Sequence, residues 1–225
     1  IAGYRDRALE VCRQVTSDLG VPWQVVRTRD LAGYTMDEYA AGLRGPRGEP
    51  APGTPRPACG PCGVFRRVGI NRLAKEAGAA AVVTGHNLDD MAQTVLMNHL
   101  KGDLERLARL APHDTGEAVA GLVPRILPFR TIPEKEVLLY AVLQGLPFHH
   151  EGECPYAERS HRFALRDVVM GLEAVTPGTR HALVKGAERL QPILRGTLPS
   201  ARILECQDCG EPTSGAVCMA CTLRA

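Results

Sequence analysis

The sequence predicts an α/β fold, a doubly wound parallel sheet followed by a small cysteine-rich module. Three observations lead there. Short apolar runs alternate with longer stretches of helical periodicity. One run, 79–84, ends in Gly85-His86-Asn87, and open α/β sheets bind ligands beyond such strand ends. After Arg195 the periodic pattern gives way to short turns and cysteines. We therefore divide the chain into a main domain, 1–195, and a terminal module, 196–225.

Each element has its own local reason. Leu9, Cys12, Val15 and Leu19 recur at helical spacing over 5–19, and Gly20 ends that helix. Cys12 falls on its apolar face and is expected in the core. The run 21–27 reads as a strand, and 37–43 as a short helix. The Gly/Pro-rich, basic stretch 44–57 reads as a mobile loop. Cys59 and Cys62 form a turn that feeds a helix over 64–77, with Phe65, Val68 and Leu73 inward and Gly78 as its stop. A buried strand follows over 79–84. Asn87 then caps a helix reaching about Lys101, with Asp90 completing a capping box and Gly102 terminating it. The run 123–127 reads as a strand. Pro133 opens a helix running to Gln144, and Gly145 stops it. A strand over 146–150 and helices over 160–172 and 177–190 complete the main domain.

Composition narrows the function classes. The 225 residues are 44% hydrophobic and 23% charged, ordinary for a globular chain, and the formal net charge of +2 does not by itself indicate a nucleic-acid binder. No run approaches the roughly 18 apolar residues of a membrane span. No secretory signal is visible, so the reading is cytoplasmic.

Of eight cysteines, seven are patterned. Cys206, Cys209, Cys218 and Cys221 make two C-x-x-C turns separated by eight residues, a spacing that closes a tetrahedron of thiolates around structural zinc. Such a site has no open position and no catalytic role. Cys59 and Cys62 alone fit a redox pair, half a zinc site or iron–sulfur ligation. Cys154 lies beyond a later strand end and can face the same crevice. Three thiolates then suit a 4Fe-4S cluster with one iron left without a protein ligand. Zinc bound by three cysteines and a histidine, or a catalytic disulfide, stays open.

Four motifs resemble a known family. They are Cys59-x-x-Cys62-Gly63-Val64-Phe65-Arg66-Arg67, Gly85-His86-Asn87-Leu88-Asp89-Asp90-x-Ala92-Gln93-Thr94, Ile132-Pro133-Glu134-Lys135-Glu136-Val137 and Glu153-Cys154-Pro155-Tyr156-Ala157. In this order they resemble the TtuA-type tRNA 2-thiouridine synthetases of the PP-loop ATP pyrophosphatase superfamily, whose fold is Rossmann-like. The resemblance runs over almost the whole chain.

It implies a tRNA sulfurtransferase that adenylates a uridine C2 carbonyl with ATP and Mg²⁺, then replaces the oxygen with sulfur. Cys59, Cys62 and Cys154 are the implied ligands of a 4Fe-4S cluster, with Asp90 near its open iron. Gly85, His86, Asn87 and Arg66 are implied at the nucleotide. Arg159, Arg162 and Arg166 share one helix face and are read as tRNA phosphate contacts. A ubiquitin-like sulfur carrier is the implied donor, and a homodimer is compatible with the reading. The family's phosphate loop, Ser-Gly-Gly-x-Asp-Ser, is absent from 1–225. It is expected upstream, on a first strand whose removal would leave apolar surface and an open sheet edge exposed. The alternatives are another PP-loop enzyme, such as a tRNA 2-thiocytidine synthetase, and a non-catalytic zinc-containing RNA-binding module.

Overall fold

The computed structural model describes residues 1, 3–43, 57–110, 112, 121–149, 153–157, 160–199 and 203–225. These form two compact units. The first comprises Ile1–Ala77, Tyr140–Arg159 and Ile203–Ala225, and the second Gly78–Leu139 and Ser160–Arg202. The predicted loop 44–57 lies outside the described residues except for Pro57.

The first unit begins with helix α1, Tyr4–Asp18, followed by α2, Thr28–Ala32, and α3, Met36–Ala40. Helix α1 buries none of its residues, and Cys12 is exposed rather than core, because no described element covers that face. Residues 21–27 carry no strand. Val21, Trp23 and Val25 alternate as a strand would, but nothing described pairs with them and all three are exposed. An apolar alternation makes a strand only where a ladder partner exists. Of the predicted strand 146–150, residues 146–149 are described and carry no strand either.

Helix α4, Cys59–Glu76, starts five residues earlier than predicted. The two cysteines are not a turn before it but its first and fourth residues. Pro61 fits there because first-turn N–H groups have no intrahelical acceptor. Phe65 of α4 is 1% exposed and packs with Leu31, Tyr34, Met36 and Tyr39. At Gly69 a Cβ would come within 2.9 Å of both Leu31 and Val26, so only glycine allows this approach. The C-terminal segment adds a two-stranded antiparallel ribbon, β3 (Leu204–Glu205) and β4 (Pro212–Thr213), and a final helix, Met219–Arg224. Its Cys206, Cys218, Ala220, Cys221 and Leu223 are buried in the same core as Phe65. The Tyr34 hydroxyl donates to the Leu223 carbonyl at 2.7 Å, and Arg72 of α4 pairs with Glu211 of the ribbon at 3.1 Å.

In the second unit a two-stranded parallel sheet pairs Val82–Val83 with Arg125–Ile126. Among the described residues it has no further strand, so the doubly wound sheet of the sequence reading is reduced to a small parallel pair in a helix-rich α/β fold. The first of these strands is not buried as expected, for Val83 is 62% exposed. Helix α5, Leu88–Leu100, is the centre of the unit, with Leu88, Ala92 and Val95 at 0–1% exposure against Val169, Val184, Leu107 and Ala187. Its partners are α6 (Leu104–Ala108), α8 (His161–Val175) and α9 (Thr179–Thr197). Helix α9 passes through Pro192 and outruns its predicted end. Gln191 and Arg195 donate to the carbonyls of Leu107, Leu110 and Ala108, which satisfies the end of α6 and holds α9 in place. Helix α7, Glu134–Leu143, is charged in its first turn and wholly apolar over 137–143, yet buries none of its residues, and the division between units falls within it. No helix among the described residues is long and apolar enough to cross a membrane.

Charge ties this unit together. Arg180 donates to Asp89 at 2.7 Å and lies 3.4 Å from Glu173, while Asp89 also accepts the N–H of Glu134 at 2.8 Å. Glu173 accepts the backbone N–H groups of Arg180 and Gly178, both at 2.9 Å. These bonds, helped by the Arg180 charge, hold its pKa at about 2 against an ordinary 4.5. A carboxyl with a lowered native pKa contributes stability above its unfolded value and loses it as the pH falls through the native one. Acid unfolding followed by circular dichroism is therefore expected to steepen between pH 4.5 and about 2, and Glu173→Gln is expected to flatten that window. Superimposable acid curves would contradict this.

Candidate functional site

Cys59, Cys62 and Cys154, the patterned cysteines outside the ribbon, lie in one unit. Cys59 and Cys62 share a face of α4 at its N-terminus, Cys59 exposed and Cys62 half-buried against the unit's core. Cys154, also half-buried, opens a turn closed by the Ala157 N–H donating to its carbonyl at 2.8 Å. The Cys59 thiol donates to the carbonyl of Tyr156, within that turn, at 3.5 Å. The Tyr156 hydroxyl donates to Asp37 of α3 at 2.7 Å, and this bond, with burial and the Asp37 charge, pushes the phenol's pKa up to about 12. The start of α4 thus meets, through the Cys59 thiol, the backbone of the short turn that carries Cys154. The donor set of Cys59, Cys62 and Cys154 fits a group bound through several thiolates, a 4Fe-4S cluster among them.

The ribbon cysteines make a different kind of site. The four sulfurs of Cys206, Cys209, Cys218 and Cys221 lie within 4.8 Å of one another, with 206–221 at 3.9 Å and 209–218 at 3.6 Å. Thiolates at 2.3 Å around one tetrahedral ion stand about 3.8 Å apart, whereas thiolates on different irons of a cluster stand roughly 6–7 Å apart. The ribbon therefore fits a single ion, not a cluster. Gly210, at φ 71°, turns the chain between the two strands. The Cys218 N–H donates to the Cys206 sulfur at 3.2 Å and lowers its pKa to about 6, while burial pushes those of Cys209 and Cys221 up.

The predicted nucleotide and tRNA residues divide between the units. Arg66 is exposed on α4 in the first unit. Gly85, His86 and Asn87 follow the Val82–Val83 strand in the second. His86 pairs through Nδ1 with the Thr84 hydroxyl at 2.8 Å, and Asn87 caps α5 by accepting the Asp90 N–H at 3.0 Å. Asp90 returns the bond to the Asn87 N–H, completing the predicted capping box. Its other oxygen accepts from Arg162 at 2.7 Å, and Arg162 also donates to Thr94 at 3.1 Å. Arg162, read from sequence as a phosphate contact, is thus bonded to the carboxylate read as catalytic. Arg166 stacks on Phe163 at 4.5 Å. Arg159 lies outside the described residues.

No family model matches the chain. Relatives do. The tRNA 2-thiolation protein NcsA of Haloferax volcanii is 38% identical over 231 residues, covering 99% of this chain and 69% of the relative. The chain belongs to the tRNA 2-thiolation protein NcsA family. Cytoplasmic tRNA 2-thiolation protein 1 of Bos taurus is 42% identical over 227 residues, again 99% of this chain but 62% of that protein. Among solved structures, the U34-tRNA thiolase NcsA from Methanococcus maripaludis with its 4Fe-4S cluster matches with a TM-score of 0.75 at 32% identity, covering 99% of this chain and 66% of that one. The NcsA-family chain thus spans about two thirds of the length of these relatives.

Sequence reasoning missed Asp37 and Asp89. Asp37 meets Tyr156 across 119 positions, a distance no local pattern bridges. Asp89 was visible beside Asp90. Helical phase, which turns the two toward different sides of α5, was the signal that could have separated the buried bridge from the half-buried cap.

Proposed function

We propose that this protein is an ATP-dependent tRNA 2-thiolase acting on a uridine, U34 by analogy with the solved relative. The observation that carries the reading is the meeting of the Cys59 thiol with the Cys154–Ala157 turn in a chain whose relatives are named for tRNA 2-thiolation.

In this reading ATP and Mg²⁺ adenylate the C2 oxygen with release of pyrophosphate, so that a poor leaving group departs as AMP when sulfur enters. Cys59, Cys62 and Cys154 would hold a 4Fe-4S cluster, which would supply a site for the incoming sulfur. Gly85, His86, Asn87 and Arg66 contact the nucleotide. Asp90, fixed by Asn87 and Arg162, presents a carboxylate toward the sulfur-transfer step. Arg159 and Arg166 meet tRNA phosphates, while Arg162, read with them from sequence, stays bonded to Asp90. The ribbon holds structural zinc. A ubiquitin-like sulfur carrier as donor, a homodimer, a doubly wound sheet in the whole protein and a cytoplasmic location belong to the same proposal.

The test is the protein reconstituted without oxygen and supplied with tRNA, ATP and sulfide, with 2-thiouridine read by mass spectrometry. ATP-dependent thiouridine at position 34 is expected. Failure of iron-loaded protein to thiolate any uridine would overturn the reading.

A further inference from the structure

We infer that Asp37 and Tyr156 are positioning residues that hold the Cys154 turn against the start of α4, an inference that rests on the three-cysteine reading above. Tyr156 makes two bonds in opposite directions. Its carbonyl accepts the Cys59 thiol at 3.5 Å, and its hydroxyl donates to Asp37 at 2.7 Å. Cys154 stands two residues away, in the turn that the Ala157 N–H closes.

The two bonds differ in strength. A thiol is a weak donor, and a cysteine that binds metal is deprotonated and has no S–H to give. The Cys59 bond is therefore lost as the site loads. The bond from a phenol to a carboxylate is charge-assisted and does not depend on the state of the thiols. It is the bond that persists through loading.

Its anchor is rigid. Helix α3 carries Asp37 between Met36, 2% exposed, and the buried Tyr39 and Ala40. A capping box starts the helix, with Thr35 N–H donating to Glu38 at 2.6 Å and Glu38 N–H to Thr35 at 3.1 Å. The Tyr156 ring packs against the same core. Tyr156→Phe removes the phenol bond and leaves the Asp37 carboxylate in place, so this variant isolates that bond.

The experiment has an arm without the cluster and an arm with it. In cluster-free protein, a short bifunctional thiol reagent should bridge Cys59 and Cys154, and Tyr156→Phe should slow the bridging. In reconstituted protein, the same variant should speed cluster loss to a chelator, read from the cluster's visible absorbance. Loss of a hydrogen bond to a charged group corresponds to about a tenfold change or more in each rate. Asp37→Ala should match Tyr156→Phe. Asp37→Asn, which keeps an acceptor, should stay near wild type in both arms, a rescue that a general loss of packing would not show. The Tyr156→Phe/Asp37→Ala double variant should be no worse than either single one. Unchanged ribbon metal content and a single cooperative unfolding transition verify that each variant folds. Wild-type rates in Tyr156→Phe, or additive effects in the double variant, would overturn the inference. Should Cys154→Ser lose the cluster while Tyr156→Phe behaves as wild type, the positioning role fails and the three-cysteine reading stands. Should Cys154→Ser keep its cluster, the three-cysteine reading itself fails.

Discussion

Cys154→Ser is expected to lose bound iron and all thiolation while binding tRNA nearly as wild type does. Serine keeps the size of the side chain but not a thiolate, so two ligands remain on α4 and none on the facing turn. The fold should tolerate the change, because Cys154 is half-buried, outside the cores of either unit. In the proposed reading, tRNA is held by dispersed phosphate contacts from residues other than this one. Iron content, cluster absorbance and a filter-binding isotherm test the three statements separately. Full activity in the variant would refute the three-cysteine mechanism.

Cys206→Ser is expected to be the most destabilising change in the first unit. The ribbon is more than an appendage to α4. Cys206, Cys218, Cys221 and Leu223 are buried with Phe65, and Glu211 pairs with Arg72. Loss of one ligand opens the tetrahedron, and metal binding in such ribbons is itself folding free energy. We expect zinc to fall by one equivalent and stability to drop by about 4 kcal/mol or more, the range reserved for lost metal sites. Metal analysis and denaturant unfolding measure both. Protein that is free of zinc when fully metallated, and as stable as the variant, would remove the assignment.

Much of the helical frame was readable from sequence. The capping box of Asn87 and Asp90, the stops at Gly102 and Gly145 and the Ser160 cap of α8 are local, and local chemistry is what sequence patterns encode. The ribbon was readable for the same reason, since its four thiols are set by spacing. The sheet was not. Residues 21–27 and 146–149 have strand composition, but a strand is completed by a neighbouring strand's N–H and C=O groups, and neither run belongs to a ladder among the described residues. The start of α4 was misplaced because Gly60, Pro61 and Gly63 look like breakers. In a first turn Pro61 gives up no hydrogen bond, and the burial of Phe65 anchors the helix. The Asp37–Tyr156 bond and the engagement of Arg162 by Asp90 join distant segments, which only the folded chain reveals.

The central claim is that two metal sites of different kind are held by two different sets of cysteines. Anomalous diffraction from crystals of reconstituted protein, collected on both sides of the iron and zinc absorption edges, tests it most directly. The account predicts iron scattering beside Cys59, Cys62 and Cys154, and a single zinc peak among Cys206, Cys209, Cys218 and Cys221. Iron scattering in the ribbon, with none beside Cys154, would contradict it.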